Sequence, residues 1–309
     1  MTTVVREARA GKRMKRGGFR SALPYLAPAL VLYGAFLVYP ILDAIRLSFF
    51  SWDGFKLSEQ IFVGLDNYIR VFTKDPVFGT AFTNTIIWTA LSVVVPTTLG
   101  LGLAIALNRP MRGRGVLRSI FYVSNVLAPI AVATVWKWIY NPTVGLLNQV
   151  LEAVGLGSWA QNWLGTPSFA LYSVFVAFVW QVAGFNMVLY LAGLQSVPTE
   201  LVDAARVDGA NRWQVFRAVT LPSLRPTTLV VLVLTIIHAL KVFDLIVGMT
   251  GGGPAQSTQV LALWSYTQSF GNHNFGQGNA LATILLLVTL LIVVPYMLWN
   301  MRSLRGGGR

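Results

Sequence analysis

The sequence predicts an all-α integral membrane protein of six transmembrane helices with both termini on the cytoplasmic side. Three observations carry this. First, 55% of the 309 residues are hydrophobic and only 11% are charged, less than half the roughly 25% of a soluble domain, and mean hydropathy is +0.61. Second, six stretches supply the ~20 apolar residues that a helix needs to cross a bilayer core. Third, Lys and Arg are distributed unevenly. Seven lie in 1–22, four in 108–118, four in 194–225 and three in 302–309, whereas the loops of the opposite side hold only Lys56, Arg70 and Lys74. This is the positive-inside pattern, and an even number of spans returns the chain to its starting side. The net charge of +13 therefore sets topology and does not call for nucleic acid.

The spans run about 24–50, 80–107, 119–140, 168–193, 226–248 and 278–301. The first is far longer than the 7–15-residue core of a cleaved signal peptide, and no small-residue cleavage site follows it. Pro40, Pro96, Pro129 and Pro295 fall inside spans, which bundled helices tolerate because neighbours satisfy the freed carbonyls. Gly100, Gly102, Ala104 and Ala106 on the second span provide small residues four apart for a close helix contact. Trp136, Trp138 and Tyr140 suit an aromatic belt at the outer end of the third, with Lys137 snorkelling outward. The division is thus a basic cytoplasmic tail (1–22), a six-helix transmembrane domain (23–302) and a short cytoplasmic tail (303–309).

The outer loops are 51–79, 141–167 and 249–277. FVGLDNYIRVF in the first and GLLNQVLEAVGL in the second read as short amphipathic helices, and the third opens on the turn residues TGGGPAQST.

The inner loop between the fourth and fifth spans (194–225) is charged and helix-forming: DAARVDGANRWQVFRAVTLP, residues 203–222. Pro198 suits a first helical turn, and Glu200 and Asp203 favour the positive helix end. Gly209 is a natural residue past the helix end because it accepts positive φ, and Asn211 can cap a second helix. That helix carries Trp213, Phe216 and Val219 on one side and is ended by Pro222. Ala204, Ala205 and Gly209 leave a small-residue surface on which another backbone can approach. On composition alone this unit is equally an amphipathic helix lying at the membrane interface, anchored by Trp213 and Phe216.

The spacing separates the two readings. Asp203-Ala204-Ala205, three residues, Gly209, nine residues, then Val219-Thr220-Leu221-Pro222 resembles the EAA loop of ABC-importer permeases, with Asp in place of Glu at 203 and Val in place of Ile at 219. FVGLDNYIRVF, YNPTVGLLNQVL, LQSVPTELVDAARVDGA and FDLIVGMTGGGPAQST extend the similarity to the MalF/UgpA-type sugar permeases over most of the chain. The resemblance implies the type I ABC-importer (MetI-like) permease fold and a place in the bacterial or archaeal plasma membrane. It also implies a second homologous permease subunit, a dimer of ATP-binding subunits, an extracytoplasmic solute-binding protein received mainly by 249–277, and a carbohydrate substrate. It assigns ATPase coupling to Glu200, Asp203, Ala204, Ala205, Asp208, Gly209, Leu221 and Pro222.

No catalysis is expected of the chain itself. Gly11-Lys12 lacks the upstream glycine of a phosphate loop and is followed by Arg13, so ATP and Mg belong to a partner, and no cofactor is expected here. Without cysteine, and with only His238 and His273, no metal centre is expected. A charge at mid-span costs about 2.5–3.5 kcal/mol on insertion scales, so Asp43 with Arg46 and Lys241 with Asp244 need a reason. At spacings of three, each pair shares a helical face and is either a self-neutralising lock or part of a substrate path. His238 is one turn before Lys241 and reads as a packing residue. Gln181, Asn186 and Tyr190 on the fourth span either bond neighbouring helices or line a path for a sugar, which presents an apolar face and a ring of hydroxyls. Glycerol-3-phosphate or a glycerophosphodiester is the alternative substrate within the same family. A secondary transporter or channel acting alone is the competing class, and the 198–222 loop argues against it.

Overall fold

The computed structural model describes the backbone of residues 18–55 and 60–306 and the side chains of residues 24–55 and 60–298. The N-terminal tail up to residue 17 and the last three residues lie outside the described residues. Helix begins at Gly18, and the last helix continues to Gly306. The chain divides into residues 1–46 and 47–309.

The first part is helical: α1 (Gly18–Tyr33), a π-helical turn (Gly34–Val38) and α2 (Tyr39–Leu47). Its Pro24–Leu47 part is long and apolar enough to cross a membrane. Arg46 Nε meets Asp43 Oδ1 at 2.8 Å, so this pair forms the lock that its spacing allows.

The second part is built around α8 (Pro167–Gln195). Two thirds of its apolar window is buried (67%), against 33% for α4 (Phe78–Leu107) and 17% for α15 (Phe275–Gly306), which makes α8 the central helix. It packs against α4, against α5 (Arg114–Val126) and against α12 (Arg225–Leu240). Small residues set these distances. A Cβ on Gly100 would come within 2.6 Å of Asn186 Cβ, and one on Gly184 would overlap the Phe121 carbonyl. The small stripe on α4 is only half used: Gly100 and Ala104 are buried, whereas Gly102 and Ala106 face outward. One core gathers Trp88, Val132, Phe175, Phe178, Val182 and Ile246; another joins Ala104, Met187, Tyr190, Leu191 and Val231.

Two predicted spans are broken. The third is α5 followed by α6 (Pro129–Ile139), turned by 103°. Leu127 and Ala128 are extended, with ψ of 138° and 137°. A proline disfavours the α region in the residue before it and suits the first turn of a new helix, so the chain restarts at Pro129. The fifth span stops at Leu240. Its helix gives way at residues 241–243 and resumes as α13 (Asp244–Met249), which packs on α6. Lys241 and Asp244 thus occupy two elements and do not share a helical face. Asp244 opens the second of them, where a carboxylate complements the helix dipole.

The end of the third span at Trp136–Tyr140 also differs from a simple belt. Trp138 is exposed, but Tyr140 is buried and donates to Ser173 O at 3.1 Å, and Trp136 packs on Tyr140 and Trp180. The predicted loop helices are α3 (Asp66–Thr73) and α7 (Leu146–Ala153). Each is pinned by an amide: Asn67 Nδ2 donates to Ser48 O and Phe50 O, both at 2.9 Å, and Asn148 Oδ1 accepts from Trp163 Nε1 at 2.8 Å. A short antiparallel pair, β1 (Phe50–Ser51) with β2 (Ile61–Phe62), precedes α3. The TGGGPAQST stretch is a compact loop closed by Thr258, which bonds Thr250 Oγ1 (2.8 Å) and Gly253 O (2.9 Å). Asn84 of α4 anchors it through Ser257 O and Gln259 O, both at 2.8 Å.

Candidate functional site

Two places collect the residues singled out in the sequence, and they lie at different heights along the bundle. One is the loop joining α8 to α12. Its first helix is α9 (Thr199–Val207), with Glu200 in the first turn and Asp208 as C-cap. Gly209 follows with φ +83°. Its N–H donates to Arg206 O at 3.0 Å and that of Ala210 donates to Ala205 O at 2.9 Å, the paired bonds of a Schellman end. Asn211 then caps the next helix reciprocally. Its Oδ1 accepts from the N–H groups of Trp213 and Gln214 at 3.0 Å, while Gln214 Oε1 accepts from Asn211 N–H at 2.8 Å, a complete capping box. The helix continues through α10 (Arg212–Val215), a π turn (Phe216–Thr220) and α11 (Leu221–Ser223). Pro222 does not end it at once, because the proline sits in the first turn of α11, where its missing N–H is not needed. The chain turns by 66° into α12.

This unit has two faces. Leu201, Ala204 and Val207, at spacings of three on α9, are exposed, Val207 to 87%. Trp213 is exposed to 66% and stacks on Phe216. Val202, Asp203 and Arg206 instead line a cavity of about 740 Å³ with Arg109, Arg212 and Phe216. Asp203 accepts from Arg206 Nη1 at 3.2 Å. Of the other residues assigned to coupling, Ala205 and Pro222 are half-buried and Leu221 is exposed.

The second place lies where the two broken spans meet. A cavity of about 390 Å³ is lined by Asn125 and Leu127 from one break, by Lys241, Phe243 and Asp244 from the other, and by Gln181 and His238 between them. Gln181 Nε2 donates to Leu127 O at 3.2 Å, a carbonyl that the helix break leaves without its usual partner. Ser124 Oγ donates to Trp180 O at 2.9 Å on the same seam. The cavity so combines a cation, an anion, an imidazole and an amide with the Phe178 and Phe243 rings. Lys241 and Asp244 are exposed to it without forming an ion pair with each other.

The structure does not bring all five candidate path residues together. Gln181, Lys241 and Asp244 share the cavity; Asn186 and Tyr190 do not line it. Asn186 is fully buried and bonds Thr235 Oγ1 at 3.2 Å, tying α8 to α12, and Tyr190 lies in the core beside Met187. His238, read as a packing residue, lines the cavity and also packs on Phe185. Asn125, Phe178 and Phe243 went unrecognised. The signal that could have found them was Pro129, read as a restart of the helix and not as a tolerated kink.

Comparisons with known proteins agree with this architecture. Residues 97–302 match the family of the binding-protein-dependent transport system inner membrane component. A probable ABC transporter permease protein of Pyrococcus horikoshii is 38% identical over 285 residues, covering 91% of this chain and 97% of that protein. The trehalose/maltose transport system permease protein MalF of Thermococcus litoralis is 36% identical over 277 residues, covering 89% and 91%. A bacterial ABC transporter that imports the acidic polysaccharide alginate superposes with a TM-score of 0.78 at 26% identity, covering 96% of this chain and 99% of the matched chain. A bacterial alginate ABC transporter in complex with an alginate pentasaccharide-bound periplasmic protein gives a TM-score of 0.77 at 25% identity, covering 94% of this chain and 96% of the matched chain. The 198–222 unit and the cavity both fall within the matched span, and the chain belongs to the binding-protein-dependent transport system inner membrane components: it is a multi-pass permease component of an ABC importer, and not itself an enzyme.

Proposed function

We propose that the chain forms half of the translocation path of an ATP-driven carbohydrate importer, and that the cavity between the two helix breaks is the substrate-contacting part of that path. The cavity carries the reading. Unpaired backbone at membrane depth is tolerated only where it is buried or lines a water-filled space, and broken helices at mid-membrane are the recurring way to build a transport site. Two breaks opening on one space lined by Gln181, His238, Lys241 and Asp244 meet both conditions. Amide and carboxylate groups beside the Phe178 and Phe243 rings suit the hydroxyls and apolar face of a pyranose. Asp244 offsets the charge of Lys241 in the same space, which favours a neutral polyhydroxyl over glycerol-3-phosphate or a glycerophosphodiester. The names of the relatives support a carbohydrate: trehalose/maltose is a neutral example, and alginate an acidic one.

The 198–222 unit is proposed to lie in the cytoplasm and to dock on an ATP-binding subunit that supplies ATP and Mg. An apolar stripe exposed on a charged, doubly capped hook (Leu201, Ala204, Val207) has the character of a protein contact. The remaining partners in this reading are a second permease subunit and a solute-binding protein on the far side. Uptake of labelled disaccharides by proteoliposomes holding the whole complex tests the path. Gln181→Leu and Asp244→Asn should each lower uptake about tenfold, the scale of ~1.4 kcal/mol. Unchanged uptake in both would move the path elsewhere.

A further inference from the structure

Next to the polar cavity, toward the chain segments between α13 and α15, four rings form a continuous ladder. Phe243 faces Tyr266 at 5.0 Å, Tyr266 faces Phe270 at 4.9 Å, and Phe270 faces Phe275 at 5.3 Å between centroids. Trp52 extends it, 5.2 Å from Phe275. The ladder walls a second cavity of about 400 Å³, whose polar lining is Ser265, Ser269 and Asn279. Phe243 lines both cavities, so the two spaces meet across one ring.

The ladder is not sealed by protein. Tyr266 is exposed to 49% and Phe270 to 58%, on α14 (Leu261–Tyr266) and the π turn after it (Thr267–Gly271). The lining also holds polar capacity to spare. Ser265 Oγ is occupied by Gly278 O at 2.8 Å and Asn279 Nδ2 by Phe275 O at 2.9 Å. Asn279 Oδ1 and the hydroxyl of Ser269 have no hydrogen bond within the described residues. Gly278 is what makes room for that hydroxyl, since a Cβ there would overlap Ser269 Oγ. Exposed rings that share a cavity lining with a spare amide oxygen and the hydroxyl of the largely buried Ser269 offer both the apolar and the polar surface that a sugar ring needs. A face that only met lipid tails would not need the polar one.

We propose that this aromatic shelf is a second saccharide subsite, which holds the next ring of an oligosaccharide whose leading ring occupies the polar cavity, with Phe243 as the shared wall. The inference rests on the carbohydrate reading above and adds a length requirement: the shelf acts on chains of two or more rings. The step is non-covalent.

The test uses the complete complex with its binding protein in proteoliposomes, with glucose, trehalose, maltose and maltotriose as labelled probes. The Tyr266→Ala/Phe270→Ala pair should lower uptake of the transported di- or trisaccharide about tenfold at limiting concentration. The ring-keeping pair Tyr266→Phe/Phe270→Tyr should restore it. Equal uptake by the alanine pair, or a loss that the ring-keeping pair does not restore, overturns the shelf while leaving the carbohydrate path standing. Failure of the alanine pair to co-purify with the second permease subunit overturns it too, by making the rings a subunit contact. Wild-type complex that takes up none of the four probes while stimulated by a phosphorylated glycerol compound overturns the carbohydrate reading and the shelf together.

Discussion

Gly209 shows how far a single residue could be read. Its φ of +83° is the conformation that a helix-terminating glycine was expected to take, and the surroundings are open: a Cβ there would meet nothing within 4 Å. Substitution therefore tests backbone conformation alone. A left-handed conformation costs a typical L residue roughly 1–2 kcal/mol, asparagine least and β-branched residues most. Gly209→Asn should keep substrate-stimulated ATPase in the reconstituted complex, Gly209→Ala should weaken it, and Gly209→Val should nearly abolish it. Normal stimulation in Gly209→Val refutes the coupling role assigned to this turn. Gly209 and Asn211 were legible because their bonds close within four residues of themselves. For Asn186 the sequence left interhelical bonding and path lining both open, because Thr235, the partner that ties it to another helix, lies 49 positions away.

Helix contacts show which elements the sequence specified and which it left open. Long apolar runs gave α4, α8 and α15 directly, since length and hydropathy are additive over a window. The breaks in the third and fifth spans were hidden by the same averaging. An apolar window looks alike whether the helix is straight or turned by 103°, and the decisive signals are single residues, Pro129 and Asp244. Which glycines serve packing was likewise unreadable. Gly102 and Gly100 are two residues apart, yet only Gly100 meets another helix. At Gly184 the obstacle is backbone, the Phe121 carbonyl, which cannot rotate away as a side chain can. Gly184→Ala should destabilise the purified chain in detergent by about 1–3 kcal/mol, the range of overpacked cores. Gly102→Ala should be neutral or stabilising by roughly 0.5–1 kcal/mol. Thermal unfolding of the two variants side by side checks this, and equal loss in both would mean that α5 and α8 are not packed as described.

For the whole molecule, α8 and α12 connect the 198–222 hook to the cavity at the junction of the two broken spans: α8 runs from the cavity, at Gln181, to the loop, and α12 returns from the loop to Lys241. A ligand bound at the hook can bias the cavity only if the two ends are parts of one two-state element. The native chain has no cysteine, so a single introduced thiol reports cleanly on the hook. Leu201→Cys should react with an impermeant maleimide only from the cytoplasmic face and be shielded when the ATP-binding subunits are bound. Reaction from the outer face would invert the topology read from the basic residues. The most direct test of the central claim is uptake itself, measured in proteoliposomes with the complete complex and with this chain alone. The complete complex should accumulate disaccharide against its gradient only with ATP, and the isolated chain should move none; disaccharide movement by the isolated chain without nucleotide would contradict the account.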